Sequence, residues 1–211
     1  MRFTVSIRLL LIIGVLGIST ARAEPYQVLV MGDSISAAYG LNEQDGWVHL
    51  AEQHFRESGR DVTFTNSSIS GDTTGGGLRR LPDALERFDP DLLVIELGGN
   101  DGLRGYPPKS MQQNLAAMAE LAQVHGADVL MLGMMIPSNY GPAYLTMFAQ
   151  AFVDAAAQTE TTLLPFFLEP IARNQDYFQP DGIHPTAEAQ PLLLDYVKPY
   201  LEEFIEQADV L

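Results

Sequence analysis

The chain has 211 residues, which is enough for one ordinary domain with a full core. It contains no cysteine, which excludes disulfides, thiol catalysis and a lipid-anchored cysteine at the amino terminus. Its formal net charge of −15, without a basic tract, argues against nucleic-acid partners and against docking on anionic lipid, and solubility explains it.

The first 23 residues have the pattern of a secretory signal peptide. Arg2 and Arg8 give a basic start, an apolar stretch follows over residues 9–18, and Ala21-Arg22-Ala23 is an A-x-A cleavage pattern. A membrane anchor is the alternative, but a membrane span needs roughly 20 apolar residues. Residues 1–23 hold three arginines and no acid, so cleavage takes the formal charge to −18. We therefore predict a monomer in the periplasm or outside the cell, without stable membrane insertion.

From residue 24 onwards, apolar runs alternate with segments of helical periodicity. The apolar runs predict strands at 26–31, 61–66, 91–97, 127–135 and 161–166. The periodic segments predict helices at 46–57, 75–88, 110–125, 143–158 and 186–206, the last of them broken by Pro191 and Pro199. Such alternation is typical of a parallel sheet with crossover helices on both faces. We predict one domain over 24–211, an α/β protein with a three-layer α/β/α sandwich.

Polar and glycine-rich segments follow these strands, at the sheet edge where open parallel folds bind ligands. They are Gly32-Asp33-Ser34, residues 66–73, Gly98-Gly99-Asn100-Asp101 and, near the end, Asp181-Gly182-Ile183-His184-Pro185. Ser34 is a candidate nucleophile, which would need a base, an orienting acid and oxyanion donors. The glycines over 71–77 have no phosphate-binding pattern after them and predict a flexible loop beside the active site, of a kind that can close on substrate.

Histidine is the usual base for a serine nucleophile, and the chain has four histidines. His49 and His54 lie on different faces of a predicted helix, and His125 ends another helix. His184 follows Asp181 by three residues, a spacing that lets the carboxylate reach Nδ1 and leaves Nε2 to take the serine proton. A surface turn is the alternative interpretation of this spacing.

Acyl transfer also requires hydrogen-bond donors for the oxyanion. Three candidates are the N–H of Ser34, which we expect at the start of a helix, the N–H of Gly71 and the side-chain amide of Asn100. A simple turn at Gly71 and a helix entry at Asn100 are the alternatives.

Together these segments resemble the SGNH hydrolases, the branch of the GDSL esterase family named for its Ser, Gly, Asn and His. The matching segments are Gly32-Asp33-Ser34, Ile69-Ser70-Gly71-Asp72, Gly99-Asn100-Asp101 and Asp181-Gly182-Ile183-His184-Pro185, in the family's order. Segments 96–105, 138–141 and 164–167 are similar to exported bacterial thioesterases, lysophospholipases and arylesterases. The G-x-S-x-G elbow of α/β-hydrolases is absent.

This resemblance implies a flavodoxin-like sandwich with five parallel strands. It implies Ser34 as nucleophile, His184 as base and Asp181 as the acid that orients it. The N–H groups of Ser34 and Gly71 and the amide of Asn100 would form the oxyanion hole. The expected reaction is hydrolysis of esters and thioesters through an acyl-enzyme, with no metal and no organic cofactor.

The substrate is less sharply indicated. Ile136, Pro137 and Tyr140 predict an apolar groove that suits a fatty-acyl chain, although the neighbouring methionines could be ordinary strand core. A carbohydrate O-acetyl esterase is the alternative, but it would favour exposed aromatic residues, and the spacing of the single tryptophan, Trp47, predicts a core position. A non-catalytic lipid-binding module and a metal hydrolase are further alternatives; the first should have lost some catalytic residues, and the second lacks ligand patterns.

Overall fold

The computed structural model describes residues 24–208, and within this range five strands form one sheet. The strands are β1 (Tyr26–Gly32), β2 (Val62–Asn66), β3 (Leu92–Glu96), β4 (Asp128–Leu132) and β5 (Thr162–Leu164). Their order across the sheet is β2-β1-β3-β4-β5, and every neighbouring pair is parallel. The predicted five-stranded parallel sheet is confirmed.

Six α-helices cover the sheet over the same described range. They are α1 (Trp47–Glu57), α2 (Thr74–Phe88), α3 (Gly99–Leu103), α4 (Pro108–His125), α5 (Pro142–Thr159) and α6 (Gln190–Ala208). Helix α1 packs against α6, whereas α2 packs against α4 and α4 packs against α5. The two groups form the outer layers of the predicted α/β/α sandwich.

Two of the three inner strands, β1 and β3, are buried on both faces, as their continuous apolar sequences indicate. Every residue of β3 is buried, and Gln27 alone in β1 is only half-buried. Trp47 has no exposed surface and meets Phe167 edge-on, with 5.3 Å between the ring centroids. The core position predicted for Trp47 is therefore confirmed.

The strand register brings the predicted site segments to one edge of the sheet. Gly32 at the end of β1 pairs with Glu96 at the end of β3, and Asn66 at the end of β2 pairs with Val30. The loops that follow these three strands consequently start side by side. This is the carboxyl edge, where parallel sheets bind ligands.

The last helix differs from the prediction of a broken helix over 186–206. A 3₁₀ turn at Ala187–Ala189 precedes α6, which continues through Pro199. Pro191 is the second residue of α6, where its missing N–H removes no helical hydrogen bond. Pro199 deprives the carbonyl group of Asp195 of its helical donor, but both residues are exposed and water can replace that donor.

The fourth strand is shorter than predicted, and one helix was missed. β4 ends at Leu132 rather than at 135. Gly133 still bonds across to the β5 segment, with its N–H 2.7 Å from the carbonyl oxygen of Leu164, but the chain leaves the sheet after it. Helix α3 has only five residues, two of them glycine, so its sequence shows no helical periodicity from which it could be predicted.

Residues 1–23, the predicted signal peptide, lie outside the described part of the chain, as do residues 209–211 of the predicted domain. Among the helices of residues 24–208, none combines the length and the apolar character that a membrane span requires.

Gly133→Ala should destabilise the fold by about 2 kcal/mol. A Cβ at this position would collide with the carbonyl oxygen of Pro165 and lie 2.8 Å from its carbonyl carbon, and this backbone cannot move away cheaply. Gly75→Ala is the control, because its nearest neighbour would be Asn114 Nδ2 at 3.6 Å. Urea unfolding should leave this control within about 1 kcal/mol of wild type. Equal stability of Gly133→Ala and wild type would contradict the packing.

Candidate active site

Ser34 lies on a tight turn directly after β1. The carbonyl oxygens of Asp33 and Ser34 accept hydrogen bonds from Ala37 N at 3.0 Å and Tyr39 N at 3.1 Å. This turn does not develop into a helix, and α1 begins only at Trp47, so the expectation that Ser34 opens a helix is wrong. The serine nevertheless leaves the strand at the sheet edge.

The glycine before this turn is required by close packing. A Cβ on Gly32 would lie 2.7 Å from both Ser36 Cβ and Ser68 Oγ. Any other residue would push the turn away from the loop that follows β2. The glycine of the G-D-S segment therefore sets how closely these two loops approach each other.

A buried carboxyl group holds the turn from behind. Glu96 has no exposed surface, and its Oε2 accepts hydrogen bonds from Ser36 Oγ at 2.7 Å, Ser36 N at 3.2 Å and Asp33 N at 3.3 Å. Trp47 Nε1 donates to the hydroxyl of Ser36 at 3.2 Å, and Asn66 Nδ2 donates to the carbonyl oxygen of Ser36 at 2.8 Å. The ends of β1, β2 and β3 and the start of α1 are thereby joined at one point.

Burial raises the pKa of Asp33 to about 6, against the opposing effect of hydrogen bonds from Ile35 N and Asn100 Nδ2. Burial, and then repulsion from Asp33, also holds the pKa of Glu96 well above its usual range. Within the described residues, Glu96 Oε1 has no hydrogen-bond partner. A neutral Glu96 agrees with this environment, since an ionised carboxylate would need partners for both oxygens.

The structure brings together the three side chains that were predicted to form a triad. Ser34 Oγ lies 2.9 Å from His184 Nε2, and His184 Nδ1 lies 2.7 Å from Asp181 Oδ2. Asp181 Oδ1 also accepts hydrogen bonds from Ile183 N at 2.9 Å and His184 N at 3.0 Å. The hydrogen bonds from His184 and Ile183 lower the pKa of Asp181 to about 2, so this carboxylate is ionised at neutral pH.

The histidine and the aspartate lie on a loop that is closed on itself. Phe178 and Pro185 form an antiparallel bridge, and Gln179 N donates to the carbonyl oxygen of His184 at 2.8 Å. Outside the loop, the ring of Tyr39 packs on the His184 ring with 4.4 Å between centroids. Gln179 Nε2 donates to the carbonyl oxygen of Tyr39 at 2.7 Å. These contacts fix the loop against the Ser34 turn.

Asn100 and Gly71 are the other predicted oxyanion donors. Asn100 Nδ2 donates to Asp33 Oδ2 at 2.9 Å, which orients the amide, and this nitrogen has a second N–H to offer. Gly71 has a φ of +79°, which favours glycine, and Arg104 Nη2 donates to its carbonyl oxygen at 2.9 Å. Asn100 lies with Ser34 and His184 on the wall of one cavity, whereas Gly71 is not part of that wall.

The glycine-rich stretch that follows is mostly helical. Thr73 caps α2, since its hydroxyl accepts a hydrogen bond from Gly76 N at 3.2 Å, and residues 75–77 belong to the first turn. A Cβ on Gly76 would collide with Asp72 Oδ1 and lie 2.8 Å from its Cγ. The prediction of a flexible loop is therefore wrong for the part that lies in α2, where close packing explains Gly76 and Gly77.

A largely apolar cavity of about 530 Å³ opens beside Ser34 and His184. Its apolar wall includes Met134, Met135, Phe166, Leu168, Ala172 and Phe178. Ile136 and Pro137, which were predicted to line an acyl groove, are also part of this wall. Tyr140, the third residue predicted there, is not part of the wall; its hydroxyl donates to the carbonyl oxygen of Leu103, which is, at 2.7 Å.

Sequence reasoning missed Glu96 and Ser36, whose contacts are described above, and Arg80, which donates hydrogen bonds to Asp72 and to the carbonyl oxygens of Ser67 and Gly32. The available signal for Glu96 was an acid at the end of an otherwise apolar strand. Nothing in the sequence marks the other two. Within residues 24–208, no three His, Asp or Glu side chains are grouped so that they could hold a metal ion.

Comparison with known proteins agrees with this geometry. The family described as GDSL-like lipase/acylhydrolase matches residues 30–191. Esterase TesA of Pseudomonas aeruginosa is 50% identical over 186 residues, which are 88% of this chain and 92% of the relative. The chain belongs to the GDSL-like lipase/acylhydrolase family. The resemblance to SGNH hydrolases inferred from the sequence motifs is confirmed.

Two further likenesses support the same assignment. Thioesterase 1/protease 1/lysophospholipase L1 of Escherichia coli K12 is 35% identical over 178 residues, covering 84% of each chain. The crystal structure of TesA matches with a TM-score of 0.82 and 52% identity, covering 84% of this chain and 99% of that one. This SGNH hydrolase is thus a carboxylic-ester hydrolase with the fold described above.

Asp33→Asn should remove a pH-dependent loss of stability. Between the ordinary pKa of 3.8 and the folded pKa of about 6, only the unfolded chain ionises Asp33, so the free energy of unfolding falls as pH rises. From pH 4.5 to pH 7 this loss is about 2 kcal/mol in the wild type. Urea unfolding of both proteins at the two pH values measures it. An equal change in the two proteins would show that Asp33 has an ordinary pKa.

Proposed function

We propose that this SGNH hydrolase cleaves carboxylic esters and thioesters through an acyl-enzyme on Ser34. The observation that carries the proposal is the hydrogen-bonded series from Ser34 Oγ through His184 to Asp181, with distances of 2.9 and 2.7 Å. The ionised Asp181 accepts the Nδ1–H, so Nε2 is the nitrogen that takes the serine proton. Ser34 then attacks the acyl carbonyl carbon.

Negative charge develops on the carbonyl oxygen during this attack. The proposed donors are the N–H groups of Ser34 and Gly71 and the amide of Asn100. Each such donor contributes on the order of 3 kcal/mol of transition-state stabilisation. The contact of Asn100 with Asp33 supports this role, because an amide that is already oriented needs no reorganisation when the charge appears.

His184 completes both halves of the reaction. Protonated at Nε2 after the first step, it gives this proton to the alcohol or thiol as the bond to the acyl carbon breaks. Water then attacks the acyl-enzyme while His184 takes its proton, and Ser34 is released by protonation from the same nitrogen. Asp181, with its pKa of about 2, remains ionised throughout.

The cavity beside Ser34 indicates the kind of acyl group. Its mainly apolar wall suits a medium or long acyl chain, since each buried methylene contributes about 0.8 kcal/mol. Ile136 and Pro137 are proposed to contact this chain, and Tyr140 to support the wall. The names of the relatives include an esterase and a thioesterase with lysophospholipase activity, which supports both oxygen and sulfur esters.

We also propose that the enzyme works outside the cytoplasm, in the periplasm or beyond it. The support is the basic, apolar and A-x-A pattern over residues 1–23. A soluble monomer that acts on small-molecule acyl esters and thioesters fits this location.

Ser34→Ala should abolish hydrolysis of p-nitrophenyl esters, with kcat falling by about 10⁴-fold or more and with no change in the unfolding transition. The reason is that the group hydrogen-bonded to His184 Nε2 is the hydroxyl of Ser34, which the substitution removes. Ser110→Ala, an exposed serine on α4, is the matched control and should keep wild-type kcat. Near-normal turnover by Ser34→Ala would refute the assignment.

Ala172→Phe should shift the acyl-length preference toward short chains. The larger side chain fills part of the cavity, so kcat/KM for a dodecanoyl ester should fall at least about tenfold, while that for an acetyl ester stays within about twofold. Ala157→Phe makes the same change at an exposed position of α5 and should alter neither value. The measurement is a series of p-nitrophenyl esters from C2 to C16.

The same series separates the proposed enzyme from a carbohydrate O-acetyl esterase. A steep preference of the wild type for C2, together with activity on an acetylated sugar, would favour the deacetylase. A preference for C8 or longer, together with hydrolysis of a lysophospholipid, would favour the acyl-chain function.

A further inference from the structure

Arg80 lies on the second turn of α2 and reaches three acceptors in two segments of the site with one guanidinium group. Its Nε donates to Asp72 Oδ2 at 2.8 Å, its Nη1 donates to the carbonyl oxygen of Ser67, and its Nη2 lies 3.4 Å from the carbonyl oxygen of Gly32. Only 24% of the side chain is exposed. Gly32 is at the end of β1, whereas Ser67 and Asp72 both belong to the loop after β2, in which Asp72 follows Gly71.

Asp72, which Arg80 binds, restrains the position of the neighbouring Gly71. Its Oδ1 accepts a hydrogen bond from Thr73 N at 2.8 Å, while Oδ2 is held by Arg80. Its own N–H closes a turn onto the carbonyl oxygen of Ile69 at 3.0 Å. Because both carboxylate oxygens and the N–H are engaged, Asp72 cannot shift independently. The turn that its N–H closes onto Ile69 encloses the Ser70–Gly71 peptide group, which carries the Gly71 N–H.

The other end of the guanidinium group meets Gly32, which precedes Ser34 by two residues. The planar guanidinium group therefore fixes the distance between the turn that carries Ser34 and the loop that carries Gly71. A lysine would keep the charge, but its single ammonium group could not hold three acceptors in this arrangement.

We propose that Arg80 is a positioning residue for hydrolysis, which sets the placement of the Gly71 N–H relative to Ser34 Oγ. This role rests on the proposed function, because it requires Gly71 as an oxyanion donor. A misplacement of about 1 Å costs on the order of 100-fold in rate. The loss falls on kcat rather than on KM, because the oxyanion exists only as the transition state is approached.

The first test compares Arg80→Met and Arg80→Lys with Arg79→Met, which changes the neighbouring exposed arginine. Hydrolysis of p-nitrophenyl butyrate is measured per active site, counted by end-point titration with a fluorophosphonate. We expect kcat to fall about 50-fold in Arg80→Met and about tenfold in Arg80→Lys, with KM within about threefold of wild type. Arg79→Met should keep its kcat within about twofold. If Arg80→Met does not fold because the charge is lost, the comparison is made between Arg80→Lys and wild type.

The second test is chemical rescue. Guanidinium chloride, well below denaturing concentrations, should raise the kcat of Arg80→Ala about fivefold or more by occupying the vacated position between Asp72 and Gly32. The same salt should not raise the kcat of wild type or of Ser34→Ala. Potassium chloride at equal concentration controls for ionic strength.

Three results would overturn the role of Arg80 while Ser34→Ala is inactive. They are an Arg80→Met kcat per titrated site within twofold of wild type, a loss confined to the number of titrated sites and the Tm, and a raised KM with unchanged kcat. Full turnover by Ser34→Ala is a different result, because it would overturn the proposed function and this role with it.

Discussion

The buried carboxyl group of Glu96 is the constraint on which the site depends. A carboxyl group in a core costs free energy unless its hydrogen bonds are made, and Glu96 uses one oxygen to collect donors from Ser36 and Asp33. These bonds tie the turn after β1 to the last residue of β3. A shift of either strand would break three hydrogen bonds among buried groups, where each loss costs about 1–3 kcal/mol. The turn that carries Ser34 is therefore held as rigidly as the sheet itself.

The site divides its tasks between two kinds of support. Ser34, Asn100 and the loop of Gly71 leave the carboxyl ends of adjacent strands, so their spacing follows from the strand register. His184 and Asp181 come from a loop far along the chain, which is fastened to the Ser34 turn through Tyr39 and Gln179. The apolar cavity lies between the strand-end loops and the loop that carries Asp181 and His184. This arrangement lets the cavity wall vary without disturbing the groups that carry charge.

Much of this organisation could be predicted from local sequence. Continuous apolar runs identify β1 and β3 because both faces of these strands are buried, and the motifs place the functional side chains at strand ends. What could not be predicted depends on contacts between distant residues. The burial of Glu96 beside Asp33 and the reach of Arg80 to Gly32 leave no periodic trace. The prediction of a flexible loop at the glycines of α2 was wrong for a related reason. Glycine suggests flexibility, whereas position 76 requires a glycine because the Asp72 side chain occupies the adjacent space.

The bridge between Phe178 and Pro185 closes a short segment that contains both the acid and the base of the triad. Both residues are contained in eight positions whose ends are pinned together, so their mutual geometry is set locally and not by the route the chain takes to reach them. Evolution can lengthen or shorten the stretch between β5 and this closed segment without separating Asp181 from His184. The same property makes the segment a natural unit for transplantation, in which acid and base move as one cassette onto another scaffold with a strand-end serine.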